Sequence, residues 1–175
     1  MTLLALGILL VAAPVGAVDV VYFHLWKFRL FSRPQSRMEE VTHIARGIAV
    51  PAIFVFLLLG SPTGTFFFIV GALFLFDLLN SLIDTMIEPA SRAPIGVPPN
   101  ELALHFIGAS LMAAAFAVFL IGGWADRSGP AAVVPWPPGT FPTWLPPLAW
   151  GGVAVSVALV AFEAALVTRY ALARD

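Results

Sequence analysis

The sequence predicts an all-α membrane protein: a polytopic bundle of five transmembrane helices, with the N-terminus outside and the C-terminus cytoplasmic. Three observations carry that prediction. The chain is 60% hydrophobic and only 11% charged, with a mean hydropathy of +0.95, outside the range of soluble globular domains. Its apolar residues run in blocks of about 20, the length a helix needs to cross the hydrocarbon core. Its basic residues collect in alternate connections between those blocks. The 175 residues form a single transmembrane domain, 1–175, with no room for a separate soluble one.

The first block, 3–23, begins like a signal peptide. It has no charged leading region and its apolar run continues to Phe23, so it reads as a retained first span. Pro14 and Pro51 are expected to kink the first and second spans, a distortion that neighbouring helices can accommodate. Ser36-Arg37-Met38-Glu39 has the capping-box pattern. It starts a helix ahead of the second span, 43–60, and assigns Glu39 to the cap. Residues 60–64, Gly-Ser-Pro-Thr-Gly, read as a tight turn into the third span, 65–87. A Pro- and Gly-containing loop covers 89–100. Within it, Pro98-Pro99-Asn100 ahead of Glu101 reads as a stop followed by an Asn N-cap for the fourth span, 102–123. The connection 124–147 is rich in Trp and Pro and is expected to be extended over 133–147, with Trp136, Trp144 and Trp150 at the outer interface. The fifth span is 148–170.

Orientation follows from charge. One side holds Lys27, Arg29, Arg33, Arg37, Arg46, Arg92, Arg169 and Arg174, and the other only Arg127. The basic side is cytoplasmic by the positive-inside rule, and the expected location is a bacterial inner (cytoplasmic) membrane. Membrane lipids are then partners. A net charge of −1 argues against nucleic acid. The absence of cysteine excludes disulfides, thiolate metal sites and a cysteine nucleophile.

All three histidines fall at the cytoplasmic edge. His24 ends the first span, Glu40 and His43 start the second, Asp84 and Glu88 end the third, and Glu101 and His105 start the fourth. Residues three or four apart share a helix face. That groups Glu40 with His43, Asp84 with Glu88, and Glu101 with His105. Paired carboxylates and imidazoles from several helices follow the ligand logic of di-iron and di-manganese bundles. The match is partial, since only Glu40–His43 has the E-x-x-H form. His24, Glu40, His43, Glu88, Glu101 and His105 are the candidate metal ligands. Without thiolates, iron, zinc or manganese suits them.

Asp84 and Asp77 are the candidate catalytic carboxylates. Asp77 lies well inside the third span, where an acid is a functional hypothesis by default. Blander readings stand beside these. Glu101 at a first helical turn complements the helix dipole, and Asp84 or Glu88 can pair with Arg92 or Arg46. Asp19 and Glu163 raise the same question as Asp77, with Arg169 as a partner for Glu163 if the last turn bends back. Gly47 and Gly108 would permit close helix approach. Lys27, Arg29, Arg33 and Arg37 form a juxtamembrane strip for topology and anionic lipid, or for the anionic head of a substrate.

The resulting expectation is a metal-dependent membrane enzyme, iron favoured, with spans one to four around the site and span five peripheral. It would oxidise or hydroxylate a lipid-like, isoprenoid or quinone substrate and draw on a redox or complex partner. Zinc would instead give a hydrolase using metal-activated water. The alternatives are a non-catalytic subunit or assembly factor of a larger complex, a proton-coupled transporter relaying through Asp77 and Glu163, and b-type haem held by His43 and His105.

Overall fold

The computed structural model of the chain describes residues 2–93 and 95–172. Arg174, counted above in the charge bias, lies outside the described residues. Among the described residues, five helices are long and apolar enough to cross a membrane. Helix α1 (Thr2–Val18) runs into a π-helical segment, Asp19–Lys27. Two short 3-10 turns, Leu30–Ser32 and Pro34–Ser36, lead to α2 (Arg37–Leu59). Then come β1 (Gly60–Thr63), α3 (Thr65–Ser91), α4 (Pro99–Gly123), β2 (Ala132–Pro135) and α5 (Leu145–Leu172). Pro14 and Pro51 sit inside α1 and α2.

Three local expectations are corrected. The 60–64 segment is more than a turn: β1 pairs antiparallel with β2 of the long connection, Gly60 opposite Pro135 and Thr63 opposite Ala132. Glycine is required at 60 because a Cβ there would stand 2.1 Å from the Val134 carbonyl oxygen. Trp136 fastens the same connection by donating its indole N–H to the Leu57 carbonyl at 2.8 Å. Next, α4 starts two residues early. Pro98 is its N-cap and Pro99 its first residue, a position where the missing N–H costs nothing, so Asn100 caps nothing. Finally, Ser36 precedes α2 but gives no side-chain cap. Its hydroxyl donates to the Ser91 carbonyl instead, and Glu39 turns inward.

The bundle has two unlike ends. Toward the β-ribbon, α1 to α4 meet in an apolar core that includes Leu6, Leu9, Ile53, Phe54, Phe74 and Met112. Phe67 stacks on Phe119 with ring centroids 5.0 Å apart. Toward the other end the interior is polar, and His24, Glu39, Arg92 and Glu101 are wholly buried there. The outer surface is the reverse, with Phe106 76% and Ile121 70% exposed. Polar groups inside and apolar groups outside is the distribution of a bundle solvated by hydrocarbon.

The place of α5 differs from expectation. It adds nothing to the fully buried apolar core and packs mainly on α2. Gly47 permits that contact, since a Cβ there would lie 2.1 Å from Val160 Cγ2. Yet Glu163 of α5 is buried in the polar end, so α5 is not peripheral to the site. Gly108 departs from its expected role as well. Its nearest neighbour would be Val15 Cγ1 at 3.9 Å, and it lines a cavity rather than a tight crossing.

Candidate metal centre

The polar end assembles side chains from all five helices. The three imidazoles converge: His24 and His43 have ring centroids 3.9 Å apart, and His105 lies 6.5 Å from His24 and 6.4 Å from His43. The π-helical segment explains how α1 contributes twice. Its i→i+5 hydrogen bonding brings Asp19 and His24, five residues apart, into one buried cluster with Glu101 and His105.

Around the histidines the groups sort into two halves. The first is organised by Arg92, which follows α3. Its guanidinium contacts Glu39 and Glu101 at ion-pair distance and reaches Glu88 Oε1 at 3.3 Å and His24 Nε2 at 3.0 Å. Ser91 Oγ donates to the other oxygen of Glu39. Burial by itself would push Arg92 down. The hydrogen bonds and charges of Glu39, then Glu101, outweigh that and hold it above its ordinary value. It is a permanent buried cation surrounded by carboxylates. His105 belongs to the same half, with Nε2 2.9 Å from Asp19 Oδ2 and Nδ1 3.5 Å from Glu88 Oε2.

The second half lacks such a cation. Glu40 and Glu163 are each 1% exposed. Both oxygens of Glu40, Oε1 of Glu163 and Nδ1 of His24 are buried without a hydrogen-bond partner. His24, Glu40 and Glu163 each offer a ligand atom, all within 4.8 Å of one another. A metal about 2.1 Å from each ligand atom sets such atoms no more than about 4.2 Å apart. Because His24 Nε2 accepts from Arg92, its Nδ1 carries the ring proton, and Glu40 and Glu163 are the free ligands of this group. His43 borders it. Its Nε2 lies 3.1 Å from Asp84 Oδ2, while Asp84 Oδ1 accepts from the Thr42 hydroxyl at 2.6 Å.

Of the ligands expected from sequence, His24, Glu40, His43, Glu88, Glu101 and His105 all reach this end. Glu88 and Glu101 face Arg92, and both ring nitrogens of His105 face carboxylates. The Nε2 atoms of His43 and His105, which a haem iron would need, face Asp84 and Asp19. Of the candidate catalytic acids, Asp84 orients His43. Asp77 lies apart, paired with Arg46 Nε at 3.1 Å. Sequence reasoning assigned Glu39 to a cap, offered Arg92 as a partner for Glu88, which the structure shows, and left Asp19 and Glu163 out of the ligand set, with Glu163 only a relay candidate. Among the described residues no ion pair joins Glu163 to Arg169.

A cavity of about 530 Å3 leads to the second half. It lies between α1, α4 and α5 with α2 behind. Small residues such as Ala13, Gly16, Gly108 and Gly152 leave the space open. Its walls are mostly aliphatic, and its polar end is formed by Asp19, His43, Arg46, His105 and Glu163. No protein-family model matches the chain, and no curated protein or solved structure is detectably similar to it.

Proposed function

We propose that this protein is a metal-dependent oxidoreductase of the cytoplasmic membrane. One divalent metal, iron in preference to manganese or zinc, is held by Glu40 and Glu163 beside His24, and the substrate is a lipid-like molecule in the adjoining cavity. One observation carries the reading. Glu40 and Glu163 face each other in a buried space beside His24, and three of their four carboxylate oxygens have no hydrogen-bond partner. Burying unpaired carboxylates is costly enough that a cation or a proton must accompany them. Across the whole site Asp19, Glu39, Glu40, Asp84, Glu88, Glu101 and Glu163 outnumber one guanidinium and three imidazoles, so a further positive charge is called for.

The sequence left open a di-metal site. Arg92 now argues for a single metal, because its guanidinium already takes the carboxylates and the His24 nitrogen that a second ion would use. The cavity supports the substrate class and the chemistry. An apolar tail fits the aliphatic walls, and its reacting end reaches His43 and Glu163. Hydrolysis needs water at the reacting atom, and the mostly aliphatic walls of the cavity suit an apolar tail better than a water path. That favours oxidation of a carbon–hydrogen bond over a zinc-type hydrolase. Bound iron would supply the oxidising chemistry, with dioxygen as oxidant and an external donor of two electrons and two protons, giving the hydroxylated substrate and water. Within the chain, Asp84 fixes the ring of His43, Glu40 and Glu163 hold charge, and the cavity wall orients the tail.

The test is metal content of detergent-purified protein, by plasma mass spectrometry, after growth with iron and after reconstitution with iron, manganese or zinc. Wild type is expected to hold one equivalent and E40Q/E163Q less than about a tenth of that, because both anionic ligands are gone. Wild type that stays metal-free under every condition would falsify the reading. Glu40 and Glu163 would then share a proton, favouring the proton-coupled carrier.

A further inference from the structure

A second site lies outside the polar interior, where α5 ends beside the turn that follows α1. A groove of about 540 Å3 is lined by Arg29 and Arg169 together with Phe31, Tyr170, Phe162 and Leu166. The two arginines are far apart in sequence but meet in one concavity. Phe31 and Tyr170 join the two segments, with ring centroids 5.4 Å apart. Arg29 has φ 51 and ψ 52, a left-handed conformation uncommon for a residue with a Cβ. Its carbonyl accepts both the N–H and the hydroxyl of Ser32, at 3.0 and 2.8 Å. The turn therefore holds a strained backbone at an arginine, of the kind that collects at binding sites.

The charges here are unlike those inside. Arg46 and Arg92 are matched by buried acids, whereas among the described residues no acid pairs with Arg29 or Arg169. On the other side of the groove, Phe162 and Leu166 run along α5 toward the middle of the bundle. Arg169 lies seven residues beyond Phe162, roughly 10 Å along the helix. Two cations at the membrane edge with an apolar wall leading inward match a phosphate joined to an acyl chain. Guanidinium favours phosphate through its fork of donors. The groove offers no acid for a choline or ethanolamine ammonium.

We infer that this groove binds an anionic glycerophospholipid of the cytoplasmic leaflet, its phosphate between Arg29 and Arg169 and its acyl chain against Phe162 and Leu166. The site rests on the membrane reading of the five helices and is independent of the metal. It also has a place in the fold. Because α5 packs mainly on α2, a headgroup bridging Arg29 and Arg169 would tie the end of α5 to the turn that follows α1.

Native mass spectrometry of the detergent-solubilised protein tests this, with phosphatidylglycerol and phosphatidylcholine of identical chains as probes. Phosphatidylglycerol is expected to bind about tenfold more tightly than phosphatidylcholine, and R29Q/R169Q to abolish that preference. R33Q/R37Q, which removes the same charge outside the groove, should keep it. Equal retention of the two lipids by wild type, or equal loss in both variants, overturns the proposal. Displacement of phosphatidylglycerol by millimolar inorganic phosphate would mean a free-phosphate site and also overturn it. Should R29Q/R169Q fail to fold, R29K/R169K serves instead. It keeps the charge but loses the fork of donors, so it should lower the preference, and a preference equal to wild type counts against guanidinium recognition.

Discussion

The two halves of the buried site answer the same problem differently. In one, Glu39, Glu88 and Glu101 surround a guanidinium that the chain itself supplies. In the other, Glu40 and Glu163 face each other and an imidazole nitrogen, with no cation from the chain. His24 belongs to both: its Nε2 accepts from Arg92, and its ring also has an atom within 4.8 Å of Glu40 and Glu163 ligand atoms. A half that carries its own counter-charge has its charges matched on folding, even where Glu88 Oε1 and both Glu101 oxygens lack a hydrogen bond. A half that lacks one is complete only with something bound. The difference teaches where to look for function: the cavity touches both halves, at Asp19 and His105 and at Glu163, but only the second half lacks a cation from the chain.

The strongest test breaks the finished half. R92A removes its only permanent cation and leaves buried carboxylates unpaired, which typically costs about 3–5 kcal/mol. In SDS-induced unfolding from mixed micelles the variant should unfold at clearly lower SDS fraction than wild type. Added divalent metal should partly restore it, because a metal can then occupy the vacated position beside Glu39, Glu101 and His24. A loss below about 1 kcal/mol would mean that the guanidinium is not the counter-ion of that half, and the contrast between the halves would collapse.

A smaller effect distinguishes the halves by metal affinity. Asp84 fixes His43, which borders the metal without ligating it, so its loss should cost less than the about 10–100-fold that follows loss of a ligand's own partner. D84N should therefore weaken metal binding by up to about tenfold in competition with a chromogenic chelator. E88Q alters the arginine half and should leave the affinity within about threefold, as expected for a residue that shares no ligand with the metal. Equal losses in the two variants would show that the halves act as one site.

How much of this was legible follows from periodicity. The five spans announce themselves by apolar length, and Glu40–His43 and Asp84–Glu88 by helical spacing, so those side chains reach the expected end. Asp19 was opaque because five residues on an α-helix turn about 140° away from His24, and only the π-helical segment folds them together. Glu163 was opaque because its partner, Glu40, is on another helix, and no local pattern encodes that pairing. Glu39 fitted a capping box, but an acid in the first turn serves a cap or a buried cation equally well, and Arg92 decided it. The β-ribbon was hidden in a Gly-Ser-Pro-Thr-Gly segment that reads as a turn and pairs only with residues some seventy positions later.

The smallest expected effect is the most diagnostic. In metal-free protein E40Q/E163Q replaces two facing carboxyls by neutral amides of similar size. An amide N–H can donate to the carbonyl opposite, so the pair satisfies itself where two carboxylates could not. Stability of the metal-free variant should match or exceed wild type, by no more than about 1–2 kcal/mol, while metal no longer raises its unfolding midpoint. Wild type should show the converse, less stable without metal and stabilised when loaded, as linkage requires of any ligand that binds only the folded state. A strongly destabilised metal-free variant would mean that Glu40 and Glu163 make structural contacts as necessary as those of Arg92. The open half would then be finished after all, and its claim to a bound cation would go with it.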